Sequence, residues 1–121
     1  MHPSHYEIYT ADKIKMEAEE QVYSRKIGTV KTIVTSSVEL GYGMVFDLEI
    51  YQEGGWYTVE MRDNSFILLT GTIAADTPCE IEYHIQDHYR TPLGAGRYRI
   101  VQEFSSNELG ISYCAAEFDI R

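Results

Sequence analysis

His84-Ile85-Gln86-Asp87-His88 carries two imidazoles four residues apart, a spacing that on a helix places both on one face as zinc ligands. The segment closes an alternating run, however, and four residues of extended chain span about 13 Å. The pair therefore reads as solvated strand-end histidines. His2 and His5 could take up stray metal but read as tail residues, so no metal or other cofactor is expected. Carboxylates recur two apart, Glu17 with Glu19 and Glu80 with Glu82, as an acid–base couple or a calcium patch would require. No Asp-x-Asp-x-Asp-Gly loop is present to organise calcium, and outward alternating acids mainly solvate a face and discourage edge pairing. Neither Cys79 nor Cys114 has an evident base beside it, and no Gly-x-Ser-x-Gly elbow occurs. No catalytic residue is assigned, and an enzyme is not expected.

The elements that hold these residues follow from composition and alternation. Ten tyrosines, frequent β-branched residues, and Pro and Gly placed between short alternating runs mark an all-β chain. Residues 44–51 set Phe46, Leu48 and Ile50 against Asp47, Glu49 and Tyr51; Gln52-Glu53-Gly54-Gly55 then turns the chain, and residues 56–61 return as the partner strand. Residues 29–36 place Val30 and Val34 opposite Lys31 and Thr35, with Ile33 out of pattern. Residues 66–70 are continuously apolar and read as a short buried strand. Ala75-Asp76-Thr77-Pro78 reads as a turn. Residues 79–85 then point Cys79, Ile81, Tyr83 and Ile85 inward and Glu80, Glu82 and His84 outward.

Residues 12–25 are ambiguous. Strong helix formers and Ile14, Ala18 and Val22 at helical spacing argue for a helix, whereas Ile14, Met16 and Ala18 at period two argue for a strand with a bulge at Glu19-Glu20. We take the strand, because a two-sheet fold needs its first strand here. The alternation also puts both cysteines on apolar faces, Cys79 with Ile81 and Ile85, Cys114 with Ala116 and Phe118. Free buried thiols are the first reading and a Cys79–Cys114 bridge the alternative.

A length of 121 residues suits one domain, residues 1–121, with residues 1–12 as a candidate flexible tail. Nineteen acidic against 10 basic side chains give a net charge of −9, which opposes binding to nucleic acid or to anionic lipid. No apolar run approaches the roughly 18 residues that span a bilayer. Met1-His2-Pro3-Ser4-His5-Tyr6 has neither a basic nor an apolar signal region, so if the protein is exported its signal lies outside this sequence.

Four motifs, in order, resemble a bacterial immunoglobulin-like domain family of extracytoplasmic Gram-positive proteins. Gly41-Tyr42-Gly43 precedes Phe46-Asp47-Leu48-Glu49-Ile50, and Glu53-Gly54-Gly55-Trp56-Tyr57 is similar to the family's Gly-x-Trp-Tyr step. Leu93-Gly94-Ala95-Gly96-Arg97-Tyr98-Arg99-Ile100 is similar to its Leu-Pro-x-Gly-x-Tyr-Arg-Ile, and Ala115-Ala116-Glu117-Phe118-Asp119-Ile120 to its closing strand. The resemblance spans residues 28–120. It implies an immunoglobulin-like β-sandwich of about seven or eight mostly antiparallel strands, located outside the cytoplasm in lipoproteins or beside membrane-embedded sensor peptidases. The implied role is accessory or sensing, without catalytic residues.

Most of these motif residues have structural work to do. Gly96 lets the chain turn into its strand, and Tyr98 stands where a tyrosine corner would pin the loop. Trp56 reads first as a cover over one end of the core, and secondarily as ligand-facing. The family's proline is missing at Gly94-Ala95, which predicts a more flexible loop. The antibody cysteine–tryptophan pattern is absent.

The remaining candidates for binding are Tyr42, Tyr51, Tyr57, Tyr89 and Tyr113, near loops or on outward faces, where rigid amphipathic rings suit recognition. The expected function is a non-catalytic interaction or spacer module whose partner is a protein or cell-envelope component. Two alternatives stand beside it. One is a small immunoglobulin-like protease inhibitor, wedging loops into a peptidase cleft; the other is a carbohydrate-binding module that uses exposed tyrosines.

Overall fold

Period-two alternation gives each strand one apolar face, and two sheets bury those faces against each other. The computed structural model describes residues 2–67 and 69–121. Its strands are β1 (His2–Pro3), β2 (Ile14–Ala18), β3 (Val22–Tyr23), β4 (Thr29–Ser36), β5 (Leu40–Gln52), β6 (Gly55–Thr58), β7 (Thr70–Ile73), β8 (Cys79–His84), β9 (Gly96–Ser106) and β10 (Gly110–Ile120). One helical turn, α1 (Ile85–His88), follows β8. The larger sheet runs β1-β6-β5-β9-β10-β3 with β7 also on β5, and the smaller runs β2-β4-β8. Among the described strands all pairings are antiparallel except β10 with β3, and the isolated Ile8–Tyr113 bridge is also parallel. This is the all-β sandwich the sequence implied, with the very short β1 as an addition and the first strand divided into β2 and β3.

The core lies between Phe46, Leu48, Ile100, Phe104 and Phe118 of the larger sheet and Met16, Val30, Val34, Ile81 and Tyr83 of the smaller. At the β5–β6 turn Glu53 and Gly54 both have positive φ, 53° and 79°, as the tight hairpin turn requires. Residues 12–25 hold the strands β2 and β3 rather than a helix, with alternate burial at Ile14, Met16 and Ala18. No bulge is needed at Glu19-Glu20, because the chain there crosses from β2 in the smaller sheet to β3 in the larger. Ile33 faces outward between Glu17 and Glu80 on the neighbouring strands.

Three expectations are corrected. Residues 66–70 are not a buried strand: Ile67 is 70% exposed, Leu69 is also exposed, and pairing begins only at Thr70; Leu68 lies outside the described residues. The strand expected over residues 79–85 gives way to α1 at Ile85, which stays buried.

The third correction concerns the N-terminal residues, which are tied down rather than a free tail. β1 pairs with β6, and the Ser4 N–H donates to the Trp56 carbonyl at 2.9 Å. The Tyr6 hydroxyl donates to the Asp47 carboxylate, and Ile8 bridges Tyr113 on β10. The segment thus straps the outer face of the larger sheet from one edge to the other.

Candidate functional site

The site arises where the two sheets stop matching. Pairing of β5 with β9 is irregular between Tyr42 and Phe46, and the extra residues turn Met44 and Val45 to solvent. β7 pairs with β5, so among the described strands β8 has only β4 as a partner. The connection from β6 to β7 arches over the resulting gap. Backbone N–H groups of Arg62 and Asp63 donate to the His88 carbonyl at 2.7 and 3.2 Å, and the Arg62 guanidinium donates to the carbonyls of Gln86 and Asp87. These bonds hold the connection to α1. Phe66 then stacks on His88, with ring centroids 4.1 Å apart, and meets Phe46 edge-on at 5.7 Å.

Between these elements lies a cleft of about 310 Å³. Its floor is Phe46, Tyr83 and Gln102. The Tyr83 hydroxyl donates to Gln102 Oε1 at 2.9 Å, while Gln102 Nε2 donates to the carbonyls of Gly43 and Glu103 at 3.2 and 3.0 Å. The floor's polar atoms are therefore spent internally, and burial pushes the Tyr83 hydroxyl well above its ordinary pKa. Met44 and Ile67 stand at the mouth, and Asp63, Glu82 and Asp87 line it with carboxylates. The Ser65 backbone N–H donates to Asp63 Oδ1 at 2.8 Å; with the Ser65 hydroxyl it lowers the Asp63 pKa, so that carboxylate is anionic.

Ser65, His88 and Asp63 share the cleft but are wired as a loop, not as a triad. His88 Nδ1 bonds the Asp63 carbonyl at 2.9 Å, and no hydrogen bond joins Ser65 to His88 among the described residues. A triad needs the base bonded to the nucleophile. His84 caps the start of α1 and His88 is its last residue, so a helical turn rather than an extended segment joins them, and His84 Nδ1 bonds Thr29 Oγ1 at 3.0 Å. Among the described residues no group of three or more His, Cys, Asp or Glu is placed to hold a metal. Cys79 and Cys114 are unbridged; Cys79 is half-buried, and burial pushes the Cys114 thiol up to about 11.

The five tyrosines do not form one surface. Tyr89 is a core residue, 1% exposed, whose hydroxyl accepts the Leu48 N–H at 2.8 Å; the helical turn of α1 swings it inward, correcting its expected place near a loop surface. Tyr42 faces the core edge-on to Phe104 and forms a wall of the cleft. A Cβ on Gly71 would lie 2.7 Å from its ring, so this approach requires glycine. Tyr57 is half-buried opposite Ile50. Tyr51 is exposed beside Trp56, and Tyr113 donates to Glu103 at 3.2 Å and packs on Tyr6.

Trp56 does not cover an end of the core. Its register opposite Tyr51 turns it to the outer face, where the Arg99 guanidinium sits 4.3 Å from the ring. Tyr98 does form the corner, donating to the Gly94 carbonyl at 2.7 Å, and Gly96 opens β9 opposite Ile120. The loop expected to be loose is held there and by two bonds between Leu93 and Arg25.

The cleft residues Met44, Asp63, Phe66 and Ile67 escaped sequence reasoning. The available signal was an apolar run following the turn-forming Asp63-Asn64-Ser65 without any alternation, a poor fit to a half-buried strand. No helix among the described residues is long and apolar enough to cross a membrane. A search among curated proteins finds no match. A family model described as Bacterial Ig-like domain matches residues 10–119, and such domains are generally non-enzymatic and often extracellular or surface-exposed. With that match running from ahead of β2 almost to the end of β10, over the two-sheet sandwich and tyrosine corner just described, the chain belongs to the bacterial Ig-like domain family.

Proposed function

We infer that the chain acts as one non-catalytic interaction module outside the cytoplasm, and that it engages a protein of the cell envelope through the cleft between β5, β8 and the β6–β7 connection. The observation carrying this reading is the cleft itself. Its aromatic floor opens at a mouth where Ile67 is 70% exposed, an arrangement that favours a bound apolar group over water. A sugar platform draws no comparable support, because the five tyrosines lie on different faces.

The test is site-specific photocrosslinking in the native cell. A benzophenone side chain at Ile67 is expected to capture a second polypeptide recovered in the envelope fraction, while the same group at Ile33, on the outer face of the smaller sheet, is not. Absence of an adduct from Ile67, or equal adducts from both positions, counts against the cleft as the working surface.

A further inference from the structure

β8 is an edge strand with its spare hydrogen-bonding groups beside the cleft. The Ile85 N–H donates to the Gly28 carbonyl at 2.9 Å, and antiparallel pairs alternate, so Tyr83, Ile81 and Cys79 in turn face β4. The backbone groups of Glu80, Glu82 and His84 therefore point away from β4. Among the described strands none pairs with them, since β7 has joined the other sheet. Edge strands of this kind accept an added strand unless something opposes it.

Charge decides what can add. Glu80 and Glu82 stand on the outer face of β8, and Asp63 and Asp87 line the mouth of the cleft. Within a net charge of −9, they oppose pairing with a second copy, which would set glutamates against glutamates. A basic strand is favoured on the same grounds. Side chains of an added strand alternate between two faces: one set would lie beside Glu80 and Glu82, the other would enter the cleft against Phe46, Phe66 and Tyr83.

We propose that the cleft and the free edge of β8 together bind an extended segment of a partner protein in which lysine or arginine alternates with residues that include one large apolar side chain. The apolar side chain fills the cleft, the basic ones meet the outer glutamates, and the backbone extends the smaller sheet by one strand. This rests on the interaction-module reading above and adds the chemistry of the partner.

The probe is the capped peptide Lys-Thr-Lys-Phe-Lys-Thr-Lys, titrated into the full chain labelled with nitrogen-15. Saturable amide shifts at Glu80, Glu82, His84 and Phe66 are expected. Replacing the peptide's phenylalanine by alanine should weaken binding about tenfold or more. Replacing its lysines by glutamate should abolish binding, and added salt should weaken it. The double variant Glu80→Lys, Glu82→Lys should lose the lysine peptide; Ile67→Asp, at an exposed position, gives an independent loss should that pair disturb folding.

Absence of saturable shifts, shifts confined to another surface, or equal binding of the glutamate peptide overturns the proposal. So does a concentration-dependent dimer that perturbs β8, which would assign the edge to a second copy. Crosslinks from Ile67 without peptide binding would leave the interaction module standing and remove this chemistry. Peptide binding without crosslinks would keep the cleft as a binding surface and remove only the envelope protein as its partner.

Discussion

Tyr89 and Tyr98 show how one side-chain type serves two purposes here, and how differently each could be read in advance. The Tyr98 corner follows from a local pattern, a tyrosine two residues after the glycine that opens β9, and its bond reaches only to Gly94. Tyr89 depends on a residue 41 positions away, because its hydroxyl accepts the N–H of Leu48 inside the core. Tyr89→Phe strands that buried N–H and should cost about 1–3 kcal/mol, read as a lower urea midpoint at unchanged slope. Tyr98→Phe should cost less, because the Gly94 carbonyl lies at the loop where water can replace the lost donor. Similar losses in the two variants would contradict this difference in burial. Trp56 differs from Tyr89: its outward position follows from the hairpin register opposite the outward Tyr51, whereas the Arg99 guanidinium over its ring comes from β9, two strands away, which no local pattern encodes.

At the scale of elements, the strap formed by β1 and the residues after it protects an ion pair. Arg99 lies 2.7 Å from Glu49 Oε1, the Glu49 side chain is fully buried, and Ser4 and Thr58 supply further bonds. Val101 on the same outer face is buried as well. Deleting residues 2–8 would rehydrate the pair without removing either charge. The expected loss is therefore about 2–3 kcal/mol from uncovered apolar surface and broken hydrogen bonds, below the roughly 3–5 kcal/mol for removing one partner of a buried pair. Chemical denaturation of the truncated chain checks this, and unchanged stability would mean that the strap contributes nothing. Strands with clean alternation, β8 and the β5–β6 hairpin, were legible because each face reports its own surroundings, whereas β2 was ambiguous because its residues are also strong helix formers. The strap and the β6–β7 connection were not, since neither has a period and both are placed by partners distant in sequence.

For the whole molecule, the sandwich was legible and the cleft was not, for one physical reason: repeating strands betray the core, whereas the cleft is a mismatch between sheets. The buried hydroxyls give the molecule an alkaline limit. Tyr83 and Tyr89 ordinarily titrate near 10.0, and burial raises both in the folded state. Above that pH the unfolded chain loses protons that the folded chain retains, so stability is full below pH 10 and falls as pH rises further. Urea midpoints measured from pH 8 to 11 should decline only over the upper part of that range, and Tyr83→Phe should flatten the decline. A midpoint that is flat throughout would contradict this.

The strap carries one more consequence, for the order in which the chain is made. Residues 2–13, made before every other element of this domain, pair with β6, Tyr113 and, through Lys13, Glu108 at 2.6 Å. Until β10 has emerged, that segment can dock on β5 and β6 but lacks its contact with Tyr113. The strap thus closes only once β10 has been made, or has passed through a membrane, and a chain stopped ahead of β10 keeps that end of the strap loose.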